Sequence, residues 1–372
     1  MKILVLSSHT PSLFWFRKDM MLAFKQAGCE VVAVGNENID SWEKKFSEIG
    51  IRYLRIDVQR NGTNPLSDLK TLKVIKSLLK KEAPDKIFCY QAKTVIYGCI
   101  AAHQLGITEV YPLIAGLGSV FLSHGLKASL LRKILVTEYK SALKHAKKVF
   151  FQNHDDSDMF VKNKILNQEN ITYINGSGVN VNQFVVTELP ETPSFLNISR
   201  LIRDKGVREY LDACRIVKKE HPEYRCLLVG PFDSNPTAIT KEELDEYIND
   251  GTIEYFGEQS DVKPYIAQAS IFVLPSYHEG TPKTVLEAMA CGRAVITTNA
   301  PGCKETVANN ENGLLVEPKN HIMLADAMLE LASNPEKVRQ MGLKGRELAV
   351  NKFSVDIVNE KILNTMNIKN DV

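Results

Sequence analysis

Apolar residues in this chain fall into short blocks separated by longer amphipathic stretches, the pattern of buried parallel strands and the helices that join them. Residues 2–7, 30–34, 53–58, 86–90, 148–152 and 171–174 read as strands of a first domain. Helical spacing predicts helices over 15–27, stopped by Gly28, and over 68–81 and 126–147. The rhythm restarts with predicted strands at 195–199, 225–229, 252–256, 271–274, 294–298 and 314–316, and closes with helices at 321–333, 335–350 and 355–366. Alternation of this kind implies parallel sheets with right-handed crossovers. The expected fold class is therefore α/β, with two Rossmann-like domains facing across a cleft. Expected boundaries are residues 1–180, a linker at 181–194 containing Pro190 and Pro193, a second domain at 195–350, and a terminal helical segment at 351–372 packing back on the first domain. No repeat of solenoid length and no low-complexity segment is visible.

Composition narrows the class. A length of 372 residues exceeds one ordinary core, and 44% apolar with 24% charged residues excludes a disordered chain. No apolar run approaches the roughly 20 residues of a membrane span. The apolar start at residues 3–6 is too short for a signal-peptide core. Seven cysteines without a CxxC pair read as small core residues of a reducing cytoplasm, with neither a zinc site nor a disulfide framework. The net charge of +2 conceals a division: residues 1–185 hold 25 Lys and Arg against 16 Asp and Glu, while the remainder holds 21 against 28. Such asymmetry points the first half toward an anionic partner or surface, although solvated charges spread by chance produce the same counts.

Candidate chemistry concentrates after the predicted strand at 271–274. There Ser276-Tyr277-His278-Glu279-Gly280-Thr281-Pro282 leads into an apolar helical stretch carrying Glu287. Thr281 suits an N-cap, Pro282 the first helical position and Gly292 the stop. Open α/β sheets bind ligands at the carboxyl ends of their strands. Gly280 permits close approach, and the N–H groups of a helix start favour an anion such as a diphosphate. Carboxylates repel phosphate, so Glu279 and Glu287 are matched to hydroxyl groups. A ligand with both diphosphate and sugar hydroxyls is a nucleotide sugar. Upstream, Arg200 and Lys205 follow the strand at 195–199, and Gly206 opens a helix. A forked donor and a point charge together suit a diphosphate. Glu258, after another strand, either frames the base or is an exposed turn residue.

Arg200-x4-Lys205-Gly206, followed by Pro275-Ser276-x-x-Glu279-Gly280-x-Pro282-x-x-x-Leu286-Glu287-Ala288, resembles the retaining glycosyltransferases of family 4, which have the GT-B fold. The resemblance covers the whole second domain. It implies that Arg200 and Lys205 hold the donor diphosphate and stabilise the departing nucleotide. It further implies that Glu279 binds the donor sugar hydroxyls, that Glu287 binds the ribose hydroxyls, and that Gly280 and Thr281 offer backbone N–H groups. In the first domain, Gly116-Leu117-Gly118 and Tyr90-Gln91-Ala92-Lys93 resemble the subgroup that extends lipid-linked saccharides in capsule, O-antigen and glycan assembly. A His common in this region of the family is missing, with Gln91 and Lys93 nearby, so no catalytic His carries over. Acceptor-binding candidates are His9, Arg17, Gly116 and Gly118. An exposed loop His and a charge at the edge of a core helix remain the plain alternatives for His9 and Arg17.

Within 126–148, Leu126, Leu130, Leu131, Ile134, Leu135, Tyr139 and Leu143 recur at helical spacing among Lys127, Arg132, Lys133, Lys140, Lys144, Lys147 and Lys148, with Glu138 the single acid. This is either an interfacial helix for anionic lipid or a core helix with a Lys-rich back. The expectation is a retaining transferase with catalytic Arg200, Lys205 and Glu279, and without metal or cofactor. It would move an N-acetylhexosamine, N-acetylgalactosamine foremost, from a UDP-sugar to a polyprenyl-diphosphate-linked saccharide. The implied place is cytoplasmic, peripheral on the inner face of the membrane and its anionic leaflet, with no nucleic acid partner. Two rivals stand beside it: a nucleotide-sugar epimerase of similar fold and a non-catalytic nucleotide-sugar-binding module. A dinucleotide-dependent oxidoreductase is disfavoured, because the first turn reads Ser7-Ser8-His9-Thr10-Pro11-Ser12 and not GxGxxG.

Overall fold

The computed structural model describes residues 1–58, 65–117, 121 and 125–369. It divides into two compact units, Met1–Ser177 with Val358–Val372, and Gly178–Ile357. The first unit holds β1 (Lys2–Leu6), β2 (Glu30–Gly35), β3 (Arg52–Arg55), β4 (Lys86–Tyr90), β5 (Val110–Ile114), β6 (Val149–Phe151) and β7 (Ile171–Tyr173). These form one sheet in the order β3-β2-β1-β4-β5-β6-β7, parallel throughout. One face packs helices Pro65–Glu82, Ala92–Gln104 and Leu126–Leu143; the other packs Thr10–Gln26, Ile39–Glu48 and Val355–Thr365. Burial on both faces explains why the strands are almost continuously apolar.

The second unit holds β8 (Ser194–Ile198), β9 (Arg225–Val229), β10 (Glu254–Tyr255), β11 (Ile271–Leu274), β12 (Ala294–Thr298) and β13 (Gly313–Val316). Their order is β10-β9-β8-β11-β12-β13, again all parallel. Both sheets reverse direction between their first and fourth strands, which opens a ligand crevice at the carboxyl ends there. β1 and β4 flank that point in the first unit, β8 and β11 in the second.

Three features depart from the sequence pattern. β5 and helix Ala92–Gln104 are well formed, yet the helix buries Thr94 through Cys99 in succession and so lacks a polar face for periodicity to mark. β3 ends at Arg55, short of the expected residue 58. Residues 181–194 belong to the second unit rather than standing between units. Two arginines fasten them. The fully buried Arg293 guanidinium donates to the Thr187 carbonyl at 2.8 Å and the Glu188 carbonyl at 3.1 Å, and Arg346 donates to the carbonyls of Val181 at 3.1 Å and Phe184 at 2.7 Å. The segment itself is half-buried to exposed until Ser194, and these guanidiniums satisfy several of its carbonyls at once. The chain rejoins the first unit at Val358. Before that, residue 179 exchanges backbone hydrogen bonds with Phe353 and Val355 at 2.8 and 3.1 Å. Gly178, at φ 72°, allows the approach, since a Cβ there would fall 2.8 Å from the Val355 Cα.

Candidate functional site

In the second unit the loops after β8 and β11 meet at the crevice. Gly206 makes this possible. It sits at φ 67° between the turn Arg203–Lys205 and helix Val207–Glu220, and a Cβ there would lie 2.1 Å from the Pro275 carbonyl oxygen. The Tyr277 N–H donates to the Asp204 carbonyl at 2.9 Å, locking the two loops together. Tyr277 also donates its hydroxyl to Glu209 at 2.5 Å; burial and that carboxylate keep the phenol protonated.

Lys205 and Glu279, 74 positions apart, come together there, with Nζ 2.5 Å from Oε1. The Ser276 hydroxyl donates to the same oxygen at 2.8 Å. The Glu279 N–H donates to the Pro301 carbonyl at 2.9 Å, and Gly302, at φ 80°, packs so closely that a Cβ would lie 2.2 Å from the Glu279 carbonyl oxygen. Lys205 and Ser276 thus hold the carboxylate, while Pro301 and Gly302 fix the backbone that carries it. Arg200 sits nearby in sequence but is paired differently: Nη1 donates to Asp233 at 2.8 Å, and Asp233 is itself fixed by the Asn235 N–H at 2.8 Å. Ser276, Gly302 and Asp233 are absent from the sequence-level site. The Ala300-Pro301-Gly302 turn was a visible signal for the second; nothing in the local pattern marks Asp233.

Glu287 lies in the second turn of helix Lys283–Ala290, only 8% exposed, with Lys283 Nζ 3.9 Å away. Burial pushes its carboxyl up to about 7, against the pull of Lys283 and Lys263. The helix starts one residue later than expected: Pro282 is the N-cap at ψ 111°, and no side chain caps it. Thr281, preceding a proline, is biased out of the helical region and so leaves the capping position. Gly280 is buried and Thr281 half-buried, both in the Glu279 loop. Glu258 is exposed after β10 and makes no hydrogen bond or ion pair among the described residues.

In the first unit, the candidates group at the carboxyl ends of β1 and β4. Arg17, on helix Thr10–Gln26, is 4% exposed; Nη1 donates to the Ser177 hydroxyl at 2.8 Å and the guanidinium lies 5.1 Å from the Tyr90 ring centroid. Among the described residues its Nε has no partner and no carboxylate pairs with it; burial pulls the guanidinium down to about 10. His9 immediately precedes that helix in extended conformation, half-buried, its N–H donating to Ser7 Oγ at 3.0 Å. Gly116 lies just beyond β5 at φ 120°. Gly118 lies outside the described residues. Helix Leu126–Leu143 resolves the ambiguity of its pattern by splitting it. Tyr139 and Leu143 are buried, whereas Leu126, Leu130 and Ile134 are 91%, 62% and 49% exposed, on the side that carries Lys127, Lys133, Lys140 and Lys144.

Relatives place this architecture. Residues 181–348 match the model for "Glycosyl transferases group 1" and residues 2–153 match "Glycosyl transferase 4-like". Over 353 residues, 91% of each chain, the sequence is 31% identical to the N,N'-diacetylbacillosaminyl-diphospho-undecaprenol alpha-1,3-N-acetylgalactosaminyltransferase of Campylobacter jejuni. The chain belongs to the family 4 glycosyltransferases. A putative glycosyltransferase EpsD of Bacillus subtilis is 24% identical over 92% of this chain and 88% of its own. This glycosyltransferase shares its fold with Anabaena HepE in complex with UDP, at TM-score 0.78 and 18% identity over 99% of this chain and 100% of that one. Its fold is GT-B.

Proposed function

We propose that this glycosyltransferase moves an N-acetylhexosamine, N-acetylgalactosamine as first choice, from a UDP-sugar to a polyprenyl-diphosphate-linked saccharide, with retention of configuration. The observation that carries the reading is the 31% identity with the Campylobacter enzyme across nine-tenths of the chain. The second unit would take the donor. Lys205 would exchange its Glu279 contact for a phosphate oxygen while Glu279 turns to the sugar hydroxyls, and Arg200 would exchange Asp233 in the same way. Glu287 would bind the ribose hydroxyls. The acceptor oxygen attacks the anomeric carbon from the face the diphosphate leaves; the carbon–oxygen bond to the diphosphate breaks and the hydroxyl proton passes to the diphosphate oxygen. Arg200 and Lys205 stabilise the charge that develops on that leaving group. No metal or cofactor enters this scheme, so activity should survive a chelator.

The first unit would take the acceptor and face the bilayer that carries it. No helix among the described residues is long and apolar enough to cross a membrane. Leu126, Leu130 and Ile134, ringed by lysines, instead match an anionic inner-leaflet surface, apolar contact and charge complementing lipid together. On this reading the protein works peripherally, on the cytoplasmic face.

The test is incubation with a polyprenyl-diphosphate-linked N-acetylhexosamine and a panel of UDP- and GDP-sugars, read by lipid product mass. One added N-acetylhexosamine from a single UDP donor is expected. An altered free nucleotide sugar without lipid product would mark an epimerase, and donor binding without any turnover a binding module.

A further inference from the structure

Gln91 closes β4 with its backbone at φ 74° and ψ 142°. A residue with a Cβ rarely adopts such a conformation, and glycine would adopt it freely. Strain of this kind persists where a side chain is needed at that point. The Gln91 side-chain oxygen accepts three hydrogen bonds: from the Ser8 N–H at 2.8 Å, the Ser8 hydroxyl at 2.8 Å and the Ser7 hydroxyl at 3.0 Å. A backbone N–H can only donate, so its contact identifies the accepting atom as Oε1 and fixes the amide orientation. Nε2 therefore carries the remaining two donors, and it has no acceptor among the described residues. Ser7 and Ser8 are buried at the end of β1, so the amide is clamped rather than mobile.

The surroundings favour an oxygen-rich, anionic ligand. Tyr90, the preceding residue, packs its ring against the buried Arg17 guanidinium, which has no carboxylate partner among the described residues. Ser12 and Tyr90 share a hydrogen bond at 3.2 Å on the same side. Of the carboxylates in this region, Glu37 is engaged by the Thr10 N–H at 2.5 Å and Asp68 by Lys93 Nζ at 2.7 Å.

We infer that Gln91 is an acceptor-binding residue: Oε1 holds the Ser7–Ser8 turn in place while Nε2 donates to a phosphate or hydroxyl oxygen of the acceptor. The inference rests on the reading that the first unit takes the acceptor. It assigns a role to a position where an outright loss of the amide and a loss of its donor can be separated.

Gln91→Glu keeps an oxygen for Ser7 and Ser8 but removes the donor and adds a charge that repels phosphate. Gln91→Ala removes both functions. With the polyprenyl-diphosphate-linked acceptor, Gln91→Glu is expected to raise acceptor KM at least tenfold, with donor KM and Tm close to wild type. Gln91→Ala should raise acceptor KM and also lower Tm, because two buried serines lose their acceptor. A monophosphate-linked acceptor separates the sources: a smaller penalty there points to a diphosphate oxygen, an equal one to a sugar hydroxyl. An unchanged acceptor KM in Gln91→Glu, or a change confined to donor KM, would overturn the inference. If wild type fails to extend the lipid, the functional reading has failed instead. Binding of the polyprenyl-diphosphate-linked N-acetylhexosamine in the presence of saturating UDP then decides on Gln91: binding at least tenfold weaker in Gln91→Glu supports the role, and equal binding removes it.

Discussion

At the carboxyl edges of the two sheets, the arginine and lysine candidates for ligand binding are held in opposite ways. In the second unit each candidate phosphate-binding cation already faces a carboxylate, Lys205 with Glu279 and Arg200 with Asp233. In the first unit Arg17 is buried against a serine hydroxyl and a tyrosine ring, and no carboxylate among the described residues pairs with it. A paired cation can trade one anion for another with little change in local charge, which suits a donor that binds and leaves in every cycle. An unpaired buried guanidinium keeps a standing positive potential and pays the desolvation cost permanently, which only an anionic ligand relieves. On the proposed function, the same type of group would serve exchange in one unit and standing attraction in the other.

Breaking the paired side should have the largest effect. Glu279→Ala removes the sugar-facing carboxylate and strands Lys205, so kcat should fall by about 10²-fold or more. Breaking a partly buried pair from one side should also lower Tm by a few degrees. Turnover by product mass together with thermal unfolding checks both; undiminished turnover would take Glu279 out of the site.

Arg17→Met probes the unpaired side and should behave in the opposite sense. Acceptor KM is expected to rise about tenfold, the change expected for roughly 1.4 kcal/mol of lost binding. Tm should stay level or rise, because a desolvated charge has been replaced by an apolar chain of similar length. A marked loss of Tm with normal acceptor KM would mean that Arg17 is a structural clasp for Ser177 and nothing more.

Glu287 gives the smallest and most graded effect. Its folded carboxyl titrates at about 7, above its ordinary value near 4.5, because burial disfavours the charge. The stability it contributes is therefore complete below about pH 4.5 and is lost as pH rises through 7, on the order of 3 kcal/mol at the most. Glu287→Gln should flatten that part of the stability–pH profile. Ribose hydroxyls donating to the carboxylate would favour its ionised form, so UDP binding near pH 6.5 should release protons. Calorimetry in buffers of different ionisation heat would detect them, and the release should vanish in Glu287→Gln.

The sequence carried much of this. β4, β9, β11 and β12 lie at the residues their apolar blocks predicted, since a strand buried on both faces leaves an unambiguous run. Local patterns also placed Gly206 at a turn, Glu279 on the loop that opens a helix, and Glu287 within that helix. They failed where a segment is neither polar nor periodic, as in helix Ala92–Gln104, and where proline punctuation resembled a linker at residues 181–194. They failed also for Thr281, whose capping chemistry is sound but whose place is taken by Pro282.

Taken by itself, then, the order of residues determined the two-fold βα rhythm, the division of charge between halves, and which side chains could meet a diphosphate and a sugar. Those are properties of neighbours along the chain, where periodicity and turn chemistry act. Tertiary structure alone decided the partners: Lys205 against Glu279, Arg200 against Asp233, Arg17 beside Tyr90, and Gln91 clamped beneath Ser7 and Ser8. It also decided that Leu126, Leu130 and Ile134 face outward while Tyr139 and Leu143 face the core. Pairing, burial and the strain at Gln91 arise from segments distant in sequence brought together by the sheets, and no window along the chain contains both sides of such a contact.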